Sequence, residues 1–361
     1  NQNFTGTTTA DNLTVTGNVS VDGGTIKLDG NYPVGTQNVA LGDAALDAGS
    51  LSGGFNTAIG RASLSNNTSG AYNSAVGNGS LQTNTTASNN TAVGYKSLYS
   101  NTTGAEQVAL GHTALEDNTT GTRNVAVGYG AVKNNTEGDK NVGVGFAALV
   151  FNTTGSSNTA LGHEALYNTT ASSNTAVGYQ AGLSNTTGAY STMVGFEAGR
   201  LNTTGQITAI GAQSFESNST GTSNAGLGVN AGFSNTEGNY NTALGESSLF
   251  SNTTASNSTA VGYQAGYNST GQRNAFFGSE AGQSNTTGES NTYIGRQAGQ
   301  LMTTGNKNTI LGRYNGNQGG LDIRTSSNNI VLSDGDGNVR AHCDSSGTWT
   351  GVGGSTTLNA V

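Results

Sequence analysis

Residues 174–190, NTAVGYQAGLSNTTGAY, form a clean copy of a unit that recurs along most of the chain. Its glycine, Gly178, belongs to a column of 17 glycines that runs from Gly42 to Gly312 at intervals of 16 to 18 residues, most often 17. Low-complexity bias alone would not hold such a register, and a short fixed period is typical of a solenoid. The sequence therefore predicts a stack of about 17-residue coils.

Each position of the unit has its own residue type. An apolar residue stands before the glycine, Ala dominates one position earlier, and Asn stands four residues before the glycine in 13 of the 17 units. A turn-forming Asn-Thr-Thr-Gly segment or a relative follows later, and several glycines per unit disfavour a helix. The unit thus predicts a strand, a tight corner, a short second strand and a longer turn. Representative members of the three main columns are Gly94, Gly128, Gly178 and Gly262; Asn90, Asn124 and Asn174; and Val93, Val127 and Val177.

The repeat predicts a thin core. We expect the Val or Leu before each glycine to fill the coil, and the Ala and Gly on the opposite face of the strand to let another backbone approach. One coil of this composition buries too little apolar area to offset the ordering of its backbone. The sequence therefore predicts that identical chains share their core around an axis.

The Asn column has two interpretations that the sequence leaves open. Stacked Asn side chains could hydrogen-bond along the column as a polar ladder. Alternatively, each Asn could cap its own turn independently.

Composition excludes several classes of function. The chain has 361 residues with 57 Gly, a single Pro, 33% hydrophobic residues and a net charge of −8. Because its few Lys and Arg are scattered, nucleic acid is not an expected partner. No apolar run is long enough to span a membrane, so membrane insertion is not expected either. With one Cys and three His, no metal cluster and no cofactor are expected. The chain begins with Asn1 and shows no signal peptide, so we expect a fragment or a processed product.

The units, of the form N-x-A-[VIL]-G-x-x-A/S-L/G, resemble the head repeats of trimeric autotransporter adhesins, which are left-handed parallel β-rolls assembled as homotrimers. The longer unit with its NTTG turn looks more like phage tail-fibre proteins, especially those of marine and cyanobacterial phages. Two flanks strengthen this second resemblance. Residues 9–19 look like the short-strand connectors of phage fibres, and residues 327–338 look like the segment before an intramolecular trimerisation chaperone.

The resemblance implies an all-β, left-handed parallel β-roll in a homotrimeric fibre. Its expected parts are an N-terminal β connector (1–34), a β-roll of 17 repeats (35–318) and a C-terminal β segment (319–361). The expected function is a non-enzymatic tail fibre of a virion, extracellular, that presents or forms a host-receptor-binding surface. Its partners would be two identical chains, other tail proteins and a host cell-surface glycan or protein. The alternatives are the head of a bacterial trimeric adhesin on the cell surface and a tailspike polysaccharide depolymerase.

Two groups of residues are candidates for ligand binding. The alternation of Asp334, Asp336 and Asn338 resembles the start of a calcium loop, but a β-hairpin turn explains the same residues and is favoured. The position just after the glycine is often aromatic, and such rings could bind the faces of sugars or simply pack between coils; corner packing is favoured. The receptor-binding candidates in this column are Tyr95, Tyr129, Tyr179 and Tyr263.

Catalysis and glycosylation have weaker patterns. Glu164 and Glu197 share a column two coils apart, which places them about 10 Å from each other, beyond the useful range for a glycosidase pair. Asn-Thr-Thr sequons recur, as at Asn101 and Asn185, but turn formation explains them without a glycan.

Overall fold

The structure is a computed structural model that describes residues 37–48 and 51–351, and this part of the chain is a parallel β-solenoid without a helix. The predicted solenoid with about 17-residue coils is confirmed. The predicted connector, residues 1–34, and the last ten residues lie outside the described residues. Within the described ranges no helix is long and apolar enough to cross a membrane. The stacked strands are β1 Val39–Leu41, β2 Thr57–Ile59, β3 Ser74–Val76, β4 Thr91–Val93, β5 Val108–Leu110, β6 Val125–Val127, β7 Val142–Val144, β8 Thr159–Leu161, β9 Thr175–Val177, β10 Thr192–Val194, β11 Ile207–Ile210, β12 Asn224–Leu227, β13 Thr242–Leu244, β14 Thr259–Val261, β15 Ala275–Phe277, β16 Thr292–Ile294 and β17 Thr309–Leu311.

Successive strands pair in parallel and in register, with each inner residue opposite the inner residue of the next coil. Five more strands follow: β18 Asn317–Gln318, β19 Leu321–Asp322, β20 Ile330–Ser333, β21 Val339–Cys343 and β22 Trp349–Gly351. β18 and β19 form a small antiparallel hairpin, whereas β20 pairs in parallel with β17 and adds an eighteenth rung. β21 and β22 then pair antiparallel onto β20, so the parallel stack ends in an antiparallel meander.

Each strand turns its middle residue inward. Ala92, Ala109 and Ala126 are fully buried, whereas Val93 and Leu110 on the same strands are exposed. The prediction that the Val or Leu before the glycine fills the coil is therefore wrong, and so is the prediction that the Ala face meets other chains. Side chains alternate along a strand, so only one of two neighbouring residues can point inward. The narrow coil admits the smaller one.

The remaining core side chain comes from the corner four residues after the glycine. Leu98 and Leu115 are fully buried there, beside the inner Ala residues. In most later coils this corner is Gly, and in several of them a large inner residue such as Met193, Phe276 or Tyr293 fills the space instead. An ideal Cβ on Gly266 or Gly282 would lie 2.6 Å or 2.5 Å from the buried ring of Phe276. Core volume is thus conserved while its source changes between strand and corner.

The glycine that ends each strand is required by the stacking of coils. Gly94 has φ +134°, and a Cβ on it would lie 2.3 Å from the carbonyl oxygen of Gly111 in the next coil. The corner that follows is a run of turns, and no second strand forms in the described coils. The predicted short second strand is therefore wrong. Corner residues such as Lys96 (φ 52°) and Leu98 (φ 50°) adopt left-handed backbone, which interrupts an extended conformation.

Candidate functional surfaces

The outward side chains of β1–β17 and β20 form one continuous surface, which we call the outer sheet face. Each of these 18 strands contributes one Val, Leu, Ile or Phe and one Thr, Ser, Val, Ala or Ile to it. None of these residues is charged and none is buried. At Leu161 and Leu227 about half of the side chain is exposed (47% and 50%). With 17 steps of about 4.8 Å, the face is about 80 Å long.

The Asn column before each strand is a ladder that joins side chains to backbone. Asn90 is 1% exposed, and its Nδ2 donates to the carbonyl oxygen of Gly104 at 3.1 Å. Its Oδ1 accepts the backbone N–H of Gln107, the equivalent residue of the next coil, at 3.0 Å. Asn124 is held in the same way by Gly138 and Asn141. At Asn174 the Oδ1 accepts from Ser191, while its Nδ2 has no partner.

A second buried Asn ladder runs through the Asn-Thr-Thr-Gly turns. Asn118 Nδ2 donates both to Asn101 Oδ1 at 2.9 Å and to the carbonyl oxygen of Gly121 at 3.1 Å. The first bond links coils and the second caps the turn, so ladder and cap coexist. Because these amide nitrogens are buried, the sequons at Asn101 and Asn185 present no accessible acceptor in the folded chain.

This second ladder breaks in one coil that is one residue short. In the 16-residue coil between Gly162 and Gly178, Thr169 replaces the Asn. Asn152 Oδ1 and Thr169 Oγ1 are then buried without a hydrogen-bond partner. The 16-residue coil between Gly195 and Gly211 keeps Asn202 and both of its ladder bonds, so the break follows from the loss of the Asn side chain and not from the length of the coil.

In seven consecutive coils, the residue just after the glycine has a ring that stacks on the equivalent ring of the next coil. We call these seven rings the aromatic ladder. Ring centroids lie 4.9 to 5.4 Å apart, with interplanar angles of 8° to 30°. These seven rings belong to Tyr95, His112, Tyr129, Phe146, His163, Tyr179 and Phe196.

The ladder brings together three of the four predicted receptor-binding residues. Tyr95, Tyr129 and Tyr179 are about half exposed, but neighbouring rings cover the faces of Tyr129 and Tyr179. The favoured packing between coils is thus present, and these two rings show edges and hydroxyl groups to solvent. Tyr263 stacks with no other ring among the described residues. The two histidines are not among the predicted residues, because the sequence prediction rests on Tyr and Phe in this column.

A second set of aromatic side chains was also missed. The position five residues before the glycine holds Phe55, Tyr72, Tyr190 and Tyr240 in four of the coils. We call this position the corner column; it is distinct from the corner that follows the glycine. All four adopt φ of 58° to 60°. Phe55 and Tyr72 stack on each other at 4.9 Å, while Tyr190 and Tyr240 stand alone in their rungs.

The corner column and the Thr-rich turns beside it form a polar edge. Glu106 and Arg123, both of the corner column, form an ion pair at 2.7 Å, and Arg273 pairs with Glu289 at 2.9 Å. These charges are largely exposed, so each pair adds little to stability. The described solenoid therefore has an uncharged outer sheet face and a separate, charged polar edge.

The carboxylates considered for catalysis are held by amides. Gln180 Nε2 donates to Glu164 Oε2 at 2.7 Å, and Gln213 Nε2 donates to Glu197 Oε2 at 3.0 Å. Gln180 occupies the coil between the two glutamates. Each carboxylate is thus one member of a Glu–Gln column that lies two residues after the glycine.

The candidate calcium residues form the turn between β20 and β21. Asp334 Oδ1 accepts the backbone N–H groups of Asp336 and Asn338 at 3.0 and 2.9 Å, and Oδ2 accepts from Arg340. Desolvation acts to raise the pKa of Asp334, but hydrogen bonds from Asn338, Arg340 and the backbone lower it to about 2. Donors occupy this carboxylate as the hairpin interpretation expects. No group of three or more His, Cys, Asp or Glu side chains that could hold a metal ion occurs within the described ranges.

Comparisons of the chain with protein-family models, with curated proteins and with solved structures give no match.

Proposed function

We propose that this chain is a structural segment of an extracellular fibre, in which identical chains assemble through the outer sheet face. That face is the observation that carries the proposal. Its strands are about 10 Å wide and the stack is about 80 Å long, so the face covers about 800 Å², with an unbroken column of Val, Leu, Ile and Phe beside a column rich in Thr. An uncharged surface of this size is characteristic of a protein interface.

A second copy of the chain fits this face better than an unrelated partner. Both surfaces would repeat with the same spacing of about 4.8 Å, so side chains of two copies can interdigitate in register along the full length. The resemblance to trimeric β-roll adhesins and to phage tail fibres favours three chains. Charged residues lie on the polar edge and on the corner that follows the glycine, and these surfaces are left for solvent and for a receptor.

Within this proposal, we prefer a phage tail fibre, because the long unit and both flanks resemble that class. The fibre presents or forms a receptor-binding surface, and its partners are two identical chains, other tail proteins and a host surface molecule. The head of a bacterial trimeric adhesin is the alternative with the same assembly. The two differ in whether the chain is built into virions, which immunogold labelling of purified particles and of host cells distinguishes.

Light scattering on the purified chain tests the assembly. We expect a mass of three times 36.2 kDa for the native chain. Changing both Leu161 and Leu227 to Lys places two charges on the outer sheet face and should give monomers. Matched control variants, Thr120→Lys and Thr187→Lys, place the same charges on the exposed turns of the polar edge and should leave the mass unchanged. A folded native monomer at micromolar concentration contradicts the proposal.

A tailspike depolymerase is the second alternative, and the Glu–Gln column speaks for a structural use of Glu164 and Glu197. Incubation with host capsule or lipopolysaccharide and measurement of reducing ends tests it. Release of reducing ends above that from heat-denatured protein would overturn the non-enzymatic proposal.

A further inference from the structure

Two tyrosines of the corner column are unusually exposed. Tyr190 and Tyr240 have 70% and 63% of their surface accessible, the two largest values among large hydrophobic side chains of the described residues. They lie in coils ten and thirteen, three rungs apart, which is about 14 Å along the solenoid axis. Both belong to the polar edge, two residues before the first residue of their strands, Thr192 and Thr242.

Neither local conformation nor packing accounts for these rings. Tyr190 and Tyr240 adopt φ of 59° and 58°, a left-handed backbone that disfavours bulky residues and suits Asn or Gly. Apart from Phe55 and Tyr72, other coils place small or polar residues at the same position, such as Asn89 and Ser157 at a similar backbone angle. Nearly every described coil adopts this backbone at the same position, so the conformation belongs to the repeat, and the two tyrosines are distinguished by how little of their rings is buried.

The faces of both rings are open. The residues in the rungs on either side of Tyr190 are Ser173 and Gln206, and those beside Tyr240 are Ser223 and Asn257. All four are exposed and none carries a ring, in contrast to the aromatic ladder, where neighbouring rings cover each other. An open ring face surrounded by hydroxyl and amide groups has an apolar centre and a hydrogen-bonding rim.

We propose that Tyr190 and Tyr240 are stacking platforms for the sugar rings of an oligosaccharide or polysaccharide chain lying along the polar edge. The apolar face of a pyranose would rest on each ring, and its hydroxyl groups would meet the neighbouring Ser, Thr, Gln and Asn side chains. The spacing of about 14 Å requires a chain of several sugar units to reach both platforms. This inference rests on the proposed receptor-binding fibre. It places the glycan contact on the corner column, and not on the aromatic ladder.

The test uses the full 361-residue chain on an array of defined glucose, galactose, N-acetylglucosamine and rhamnose oligosaccharides, followed by calorimetry on each sugar bound. The decisive variant is Tyr190→Asn with Tyr240→Asn, because Asn suits the left-handed corner and removes both rings. Tyr190→Phe with Tyr240→Phe keeps the ring faces and removes only the hydroxyl groups. Tyr129→Ala is the matched control that removes one ring from the aromatic ladder.

We expect the double Asn variant to lose at least about tenfold in affinity, from two lost ring contacts, while its melting temperature stays the same or rises. The double Phe variant and Tyr129→Ala should bind within about threefold of the native chain. Absence of binding to every sugar on the array, unchanged binding in the double Asn variant, or a loss confined to Tyr129→Ala would each overturn the inference. Light scattering on the same samples reports assembly separately, so a monomer that still binds sugar through Tyr190 and Tyr240 refutes the fibre and leaves the platforms standing.

Discussion

The exchange of core volume between strand and corner predicts that substitutions at Phe276, Gly266 and Gly282 have strongly coupled effects on the free energy of unfolding. The fully buried ring occupies the space into which Cβ atoms on Gly266 and Gly282 would project, at 2.6 and 2.5 Å. Phe276→Ala should cost about 3–5 kcal/mol in the free energy of unfolding. Gly266→Leu or Gly282→Leu alone should cost at least about 1–3 kcal/mol each through overpacking. Independent effects would therefore add to a loss of about 5–11 kcal/mol in the triple variant.

We expect the triple variant to lose far less, about 2–3 kcal/mol relative to the native chain. Each buried Leu would regain about 1.5–3 kcal/mol, offset by about 1–2 kcal/mol for left-handed backbone. Leu98 and Leu115 show that Leu is accommodated at such corners, with φ of 50° and 52° beside the buried Ala109.

Urea denaturation followed by far-ultraviolet circular dichroism measures these free energies at one chain concentration. Tyr263→Ala is the control, because it removes a ring of similar size from the outside of a neighbouring coil and should cost under about 1 kcal/mol. A triple variant as unstable as the sum of its single changes would refute the exchange of core volume, since coupling is the signature of shared space.

Three further perturbations test other columns of the repeat. Asn118→Ala removes an amide from the buried ladder and should lower the free energy of unfolding by about 2–4 kcal/mol in urea denaturation, whereas Thr120→Ala on the exposed turn should change it by under about 0.5 kcal/mol. Gly94→Ala would bring a Cβ within 2.3 Å of the Gly111 carbonyl oxygen, so it should destabilise by more than about 3 kcal/mol or abolish the sheet signal, and a neutral result would contradict the stacking account. The pKa of Asp334 is lowered from 3.8 to about 2, so its stabilisation of the β20–β21 turn should be complete above pH 3.8 and lost as the pH falls through 2. Faster amide exchange in this turn across that window, absent from Asp334→Asn, is the expected result.

The period and the position of each strand could be predicted from sequence because stacking makes them local properties. Gly94 and its equivalents must be Gly in every coil, since each would otherwise meet the carbonyl of the next. Because this glycine recurs at the same position of every coil, it shows in the sequence where each coil begins and how the coils align. The second strand could not be excluded in the same way. Lys96 and Leu98 adopt left-handed backbone although neither residue type favours it, so tertiary packing overrides local preference there.

The aromatic rings show a different limit. A column of Tyr and Phe indicates stacking or binding, but sequence does not tell whether a ring's faces are covered. Whether a face is covered depends on the neighbouring coils: His112, which is neither Tyr nor Phe, covers one face of Tyr129. The structure therefore separates rings whose faces are occupied from rings whose faces are open, which sequence had treated as one class.

The main difference between prediction and structure is which residue of each strand faces the interior, and the sequence itself contains the signal that identifies it. Inner positions hold a large residue at Met193, Phe276 and Tyr293, and each of these lies between two coils whose corner is Gly. The residues just before the glycine, such as Val93, show no such exchange with the corner. Residues that compensate each other in volume must share a space, so the exchange identifies the inner position without a structure. It follows that the uncharged column before the glycine points outward, where solvent would favour polar residues. Its persistence through 18 rungs is the strongest reason to expect a partner with the same repeat.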